Sequence, residues 1–192
     1  MDWIQKIIDD SLNEMSKTEY SMRTPAIIPT EMQDESIEKM DDWNGWKPIK
    51  SIIEDTDIDK LENDIGFPLP VSYREFLKTK HFFELEIPDR AVNLPGILPD
   101  KELSFLREYV FNMMEPEFII GQGFIYFADF QDFGLLCFDA NQTVENNEYP
   151  VVYMDHENID DIHLYAKSFR ELLEADAERG NRFIEYLNEL HR

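Results

Sequence analysis

The chain carries a single cysteine, Cys137, so an intramolecular disulfide is excluded and a reducing compartment is the expectation. Cationic side chains are scarce as well. Eighteen Lys and Arg stand against 41 Asp and Glu, a formal net charge of −23. A field of that sign repels nucleic acid and anionic membrane and favours a cationic partner. No apolar run approaches the roughly 18 residues that a membrane span requires. The first residues, MDWIQKIIDD, lack the basic start and apolar centre of a secretory signal, so the expected location is the cytoplasm.

Catalytic and cofactor signatures are missing too. Neither HExxH nor paired CxxC occurs, and His81, His163 and His191 show no ligand spacing, so no metal or other cofactor is expected. GQG at 121–123 lacks the Lys-Ser/Thr of a phosphate loop and reads as a turn or bulge. Cys137 lies between Leu136 and Phe138, a setting for an inert buried thiol. The run Asp155-His156-Glu157 has the residue types of a metal or acid–base site. Consecutive residues of a strand point to alternate faces, however, so three in a row cannot converge there. These positions read instead as a strand end whose acids bond nearby backbone N–H groups. Nothing here predicts an enzyme.

What is present is enough apolar material for a core: 43% hydrophobic and 13% aromatic residues over 192 positions. A chain of this length buries roughly 70% of its unfolded surface without help from metal or disulfide. Trp3, Ile4, Ile7, Ile8, Leu12 and Met15 recur at helical spacing over 2–16. From Thr18 to Asp42 the periodicity dissolves around Pro25 and Pro29, which gives an N-terminal helix and strap or linker over 1–42 and a folded domain over 43–192. The amphipathic helix can dock on that domain or pair two copies of the chain as a homodimer.

Within 43–192, Thr56 or Asp57 is placed to cap a short helix that Gly66 stops, and Pro70 to open the next, with Tyr73, Phe76 and Leu77 on one face. Five aromatic or β-branched stretches follow: 82–87, 117–121, 123–130, 134–140 and 149–155. Turn formers separate them, as in successive antiparallel strands, and a helix over 100–112 capped by Asp100 interrupts the series. Ser168 and Glu171 form a capping box for a helix that Gly180 breaks, and a last helix carries Phe183, Ile184, Leu187 and Leu190. Helices, a run of strands and helices again define an α+β fold, helices packed around a mostly antiparallel sheet.

At this point LENDIGFPLPVSYREFL resembles the helix–turn–helix opening of the SUKH superfamily, in its Smi/Knr-like branch. GQGFIYFADFQDFGLLCFD is similar to the family's glycine-bearing strand and the strand after it, and YPVVYMDHE and YAKSFRELL to its closing strand and last core helix. The likeness runs from about Trp46 to Ala175. Where many members carry Asn-Gly-Gly after the second helix, this chain reads KTKHFFEL. The resemblance implies a non-enzymatic α+β domain. Bacterial members resemble immunity proteins that neutralise toxins used between competitors, often nucleases or deaminases, and fungal relatives act as hubs in cell-wall regulation.

The expected function is therefore an immunity protein that blocks a cognate, basic toxin domain. The alternative is a regulatory hub or scaffold for cellular proteins. The candidate binding set is acidic and lies at strand and turn ends: Asp129, Asp132, Asp139, Glu145, Glu148, Asp155, Glu157, Asp160 and Asp161. Tyr126 and Tyr153, with Phe130, Phe133 and Tyr149, are interleaved with it, as aromatic anchors and steering charge are at interfaces. If the strands share one sheet, several of these acids can gather on one rim.

Overall fold

The computed structural model describes residues 2–18, 20–142 and 145–190. The apolar stripe read from the N-terminus forms helix α1, Asp2–Met15, which buries Ile4, Ile8, Leu12 and Met15. That stripe lies against its own chain, in the same cluster as Trp46 and Phe76. The following segment has no long regular element. It crosses the domain as a strap, with β1 (Arg23–Thr24) paired to β2 (Asn44–Gly45) and Met22, Ile28 and Met32 buried beneath it. Backbone bonds from Trp46 N–H to the Met22 carbonyl and from Lys47 N–H to the Met32 carbonyl hold it down.

Helix α2 runs Asp55–Ile65, starting slightly before the expected caps. Glu54 is the N-cap residue, and Asp57 accepts a hydrogen bond from its N–H. Gly66 ends the helix at φ 83°, a left-handed conformation that glycine adopts without Cβ strain. Helix α3 spans Val71–Leu77, with Pro70 as its N-cap. Arg74 of α3 reaches Glu62, Asp59 and Asp55 of α2 at 2.6, 2.8 and 3.1 Å, so one guanidinium neutralises the acidic face of the neighbouring helix.

The central sheet is a five-stranded antiparallel meander: β5 (Val92–Asn93), β6 (Phe124–Phe130), β7 (Gly134–Asp139), β8 (Val151–Asp155) and β9 (Ile162–Ala166). The expected strands at 123–130, 134–140 and 149–155 are β6 to β8. The stretches 82–87 and 117–121 are not strands. Phe82 makes one bridge to Ile97, and 120–122 forms a 3-10 turn. Leu85, Ile87 and Ile119 are buried from irregular segments instead, whereas Phe118 is exposed. Ahead of them, β4 (Lys80–His81) pairs with β3 (Ile49–Lys50) in a separate ribbon.

One sheet face packs on the helices. Tyr73 of α3 meets Phe127, Phe138 and Phe169 at centroid distances of 5.5, 5.0 and 5.0 Å, joining α3, β6, β7 and α5 (Phe169–Leu173). The other face carries a smaller cluster of Tyr126, Leu135, Cys137, Val152 and Met154, backed by Tyr109 of α4 (Ser104–Phe111) and by Ile119. Cys137 is fully buried and its thiol is pushed up by that burial. Gly180 does not break a helix. It lies in α6 (Arg179–Leu190), where a Cβ would come within 2.3 Å of the Ala91 side chain, so its lack of a side chain lets α6 approach the β5 edge.

His81 is wholly buried, with Nε2 accepting the Ile52 N–H at 2.9 Å and Nδ1–H directed at the Ile97 carbonyl at 3.2 Å. This pairing fits only the neutral ring, and burial lowers its pKa. Below pH ~6.5 the unfolded chain takes up a proton that the folded chain refuses, so stability falls with pH until the folded pKa is reached. Urea denaturation of wild type and His81→Gln should show the wild type losing more stability than the variant between pH 7 and 5. Parallel pH profiles would contradict the assignment.

Candidate functional site

Connectivity sorts the acids. In an antiparallel meander the turn between β6 and β7 (131–133) and the loop between β8 and β9 (156–161) leave the sheet at one end, while the β7–β8 connection leaves at the other. The acids therefore lie on two rims rather than one. Asp129, Asp132, Asp155, Glu157, Asp160 and Asp161 belong to the first. Asp139, Glu145 and Glu148 belong to the second, and the Glu145 side chain lies outside the described residues.

At the second rim the carboxylates build structure. Asp139 is buried and accepts hydrogen bonds from the Asn141 N–H at 3.1 Å and the Gln142 amide at 2.6 Å, which closes the turn after β7. Glu148 accepts from the Ser72 N–H at 2.8 Å and the Ser72 hydroxyl at 2.6 Å. Pro70 has no side-chain oxygen with which to cap α3, so a carboxylate 76 positions away in sequence does so and meets the positive end of the helix. No local pattern announces this role.

The first rim is different. Asp129 is bonded by the Tyr109 hydroxyl at 2.8 Å and by the Tyr126 hydroxyl, so its carboxylate serves the second-face cluster. Asp155 accepts the Glu157 N–H at 2.8 Å, a turn that ends β8, and Asp161 lies 2.8 Å from the His163 ring. His156 donates through both its backbone N–H (3.3 Å) and ring Nδ1–H (2.5 Å) to the Phe133 carbonyl, which ties the two loops together. Ile159 packs on the second-face cluster beneath them. On this anchored platform Asp132, Glu157 and Asp160 are exposed, and Phe133 is 38% exposed beside them. Asp155-His156-Glu157 is thus the fastening of two loops, not a convergent reaction centre.

The aromatics expected as anchors are mostly core. Tyr126 and Tyr153 are each only 2% exposed, and Phe130 and Tyr149 are buried. Burial, with the Asp155 and Asp161 carboxylates nearby, pushes the Tyr153 hydroxyl up to about 12. Tyrosine in a strand is as useful in a core as at an interface, and alternation alone does not say which face water reaches. Among the described residues no cluster of three or more His, Cys, Asp or Glu is placed to hold a metal ion, and no helix is long and apolar enough to cross a membrane.

One surface was not foreseen. A groove of about 980 Å³ runs past β8 and β9, with Val152, Ile162 and Leu164 along its apolar side and Glu148, Lys167 and Arg170 at its margins. Ile162 and Leu164 are 38% and 58% exposed. The Arg170 guanidinium sits 4.8 Å over the Trp3 ring, so α1 contributes one wall. The signal was present in IHLYA, whose Ile and Leu alternate, but this stretch follows an acidic loop and is too short to stand out.

Two fastened loops thus present exposed carboxylates, while acids elsewhere are spent on caps and turns. The chain belongs to the SMI1 / KNR4 family (SUKH-1), whose match spans residues 52–175 from just before α2 through the end of α5. No curated protein gives a significant match.

The division of the acids into structural and exposed sets is measurable. Glu148→Ala should cost about 1–2 kcal/mol in chemical denaturation through the lost α3 cap. Glu157→Ala should stay within about 0.5 kcal/mol of wild type, as surface changes usually do. Equal effects would refute the division.

Proposed function

We propose that the protein is an immunity protein: it binds a cognate toxin domain in the cytoplasm and blocks it by occupancy rather than by catalysis. The observation that carries this reading is the first rim. Asp132, Glu157 and Asp160 are exposed on two loops fastened together by His156, within a chain of net charge −23. Membership of the SMI1 / KNR4 family (SUKH-1) supports it. A toxin that processes nucleic acid needs a basic cleft for phosphate, and a fixed set of carboxylates can fill such a cleft in place of the substrate. Phe133, at the centre of the rim, supplies an apolar contact once charge has guided the encounter.

The loops are suited to this because their own acids are not all free. Asp155 holds the Glu157 N–H and Asp161 bonds the His163 ring, so the loop is held without help from a partner and little ordering is left for binding to impose. Nuclease or deaminase toxins fit this chemistry best.

Co-expression with the toxin encoded beside this chain's gene provides the test. Wild type should restore growth and co-purify as a one-to-one complex. The charge-reversed variant Asp132→Lys/Glu157→Lys/Asp160→Lys should fail to rescue while unfolding at the wild-type temperature. Absence of rescue and of a complex with wild type would overturn the proposal, and so would full rescue by the reversed variant.

A further inference from the structure

The two edges of the sheet are finished differently. β5 is only two residues long, a short edge that offers little to another strand. β9 spans five residues, pairs with β8 on one side and has no strand on the other among the described residues. Natural edges are commonly protected by lysine, proline or a covering element, yet Ile162, His163 and Leu164 bring neither lysine nor proline. Beyond its pairing with β8, the one backbone bond made by β9 among the described residues is Arg179 to the Tyr165 carbonyl, at the bulged end of the strand. Ile162 and Leu164 lie on the side of the groove, next to Met154 and Val152 in register, so an apolar strip continues to the edge and stops there uncovered.

We propose that β9 is a strand-addition site for an extended, cationic segment of the partner protein. The segment continues the sheet antiparallel to β9 and sets apolar side chains at alternate positions against Ile162 and Leu164. Charge selects this occupant. The loop entering β9 carries Glu157, Asp160 and Asp161, with Asp155 at the end of β8, whereas Lys167 and Arg170 follow the strand. An antiparallel segment therefore places its C-terminal end beside the acids and its N-terminal end beside the cations. Basic residues belong after its apolar alternation and acidic ones before it. A second copy of this chain is disfavoured as occupant, because each copy brings a net charge of −23 to the contact. The inference rests on the partner-binding reading of the adjacent rim and gives that partner a backbone contact in addition to a charged one.

The probe is a synthetic peptide with Glu at its start, Val and Thr alternating through five positions, and Lys-Arg at its end. It is titrated into the isotope-labelled full chain and followed by amide NMR. Backbone signals of 162–166 should shift and gain exchange protection, with a dissociation constant on the order of 0.1–1 mM. Leu164→Lys should weaken binding about tenfold or more, and N-methylation at alternate peptide positions should abolish it. Glu35→Ala, an exposed position on the strap outside β9 and the acidic rim, should bind as wild type does and serves as the control.

Shifts confined to 131–133 and 155–161 would overturn strand addition while leaving the acidic rim intact. So would equal binding by the methylated peptide, no binding at millimolar peptide, or a dimer of the chain alone that Leu164→Lys dissociates. Failure of toxin rescue with wild type, in contrast, would remove the immunity reading whatever the peptide does.

Discussion

Tyr73 stands where four elements meet. Its ring is almost fully buried and contacts Phe127 of β6, Phe138 of β7 and Phe169 of α5, so the helix layer and the sheet share one aromatic junction. Phe127 and Phe138 stack at 3.9 Å across the β6–β7 pair, and Phe76 extends the junction towards Phe82. Burying rings of this size supplies several kcal/mol and fixes geometry as well, because edge-on contacts are directional. A shift of α3 by one residue would break the Tyr73 contacts to Phe127, Phe138 and Phe169. The helix has only seven residues and cannot hold itself in place, so packing, the Arg74 ion pairs and the Glu148 cap together set its position.

The acidic first rim depends on that junction indirectly. With β6 and β7 held against α3 and α5, the meander leaves its turns in fixed places, and the loops 131–133 and 156–161 meet closely enough for His156 to bond Phe133. The acids divide accordingly. Those near helix ends or strand ends complete turns and caps, and those at loop crests face water. A high negative charge need not imply a uniformly acidic surface. Here much of it is tied down, by Arg74 and Lys78 between α2 and α3, by Arg182 on Asp176, and by backbone N–H groups. Asp132, Glu157 and Asp160 are among the acids left exposed, and they stand together on the two fastened loops.

Much of the fold could be read from residue order. β6 to β8 were visible because aromatic and β-branched runs alternate with turn formers, and β7, buried throughout, reads as an unbroken apolar run. Ser168 was legible as a cap because its partner, the Glu171 N–H, is three residues away. The failures share a cause. FFELEI and EFIIG carry strand-like composition but have irregular backbone, burying Phe82, Leu85, Ile87 and Ile119 while Phe118 stays exposed, and IHLYA is a strand with ordinary composition. Gly180 looked like a stop signal and is a contact with Ala91. The roles of Glu148 and His156, the two rims and the open β9 edge depend on residues distant in sequence, which no local pattern encodes.

The central claim is that fixed, exposed carboxylates guide the chain to a basic partner. Stopped-flow association of wild type with its toxin, measured across ionic strength, tests it most directly. The association rate should fall on the order of tenfold between roughly 0.02 and 0.5 M salt, while the dissociation rate changes much less. An association rate that is flat across that range would contradict the account.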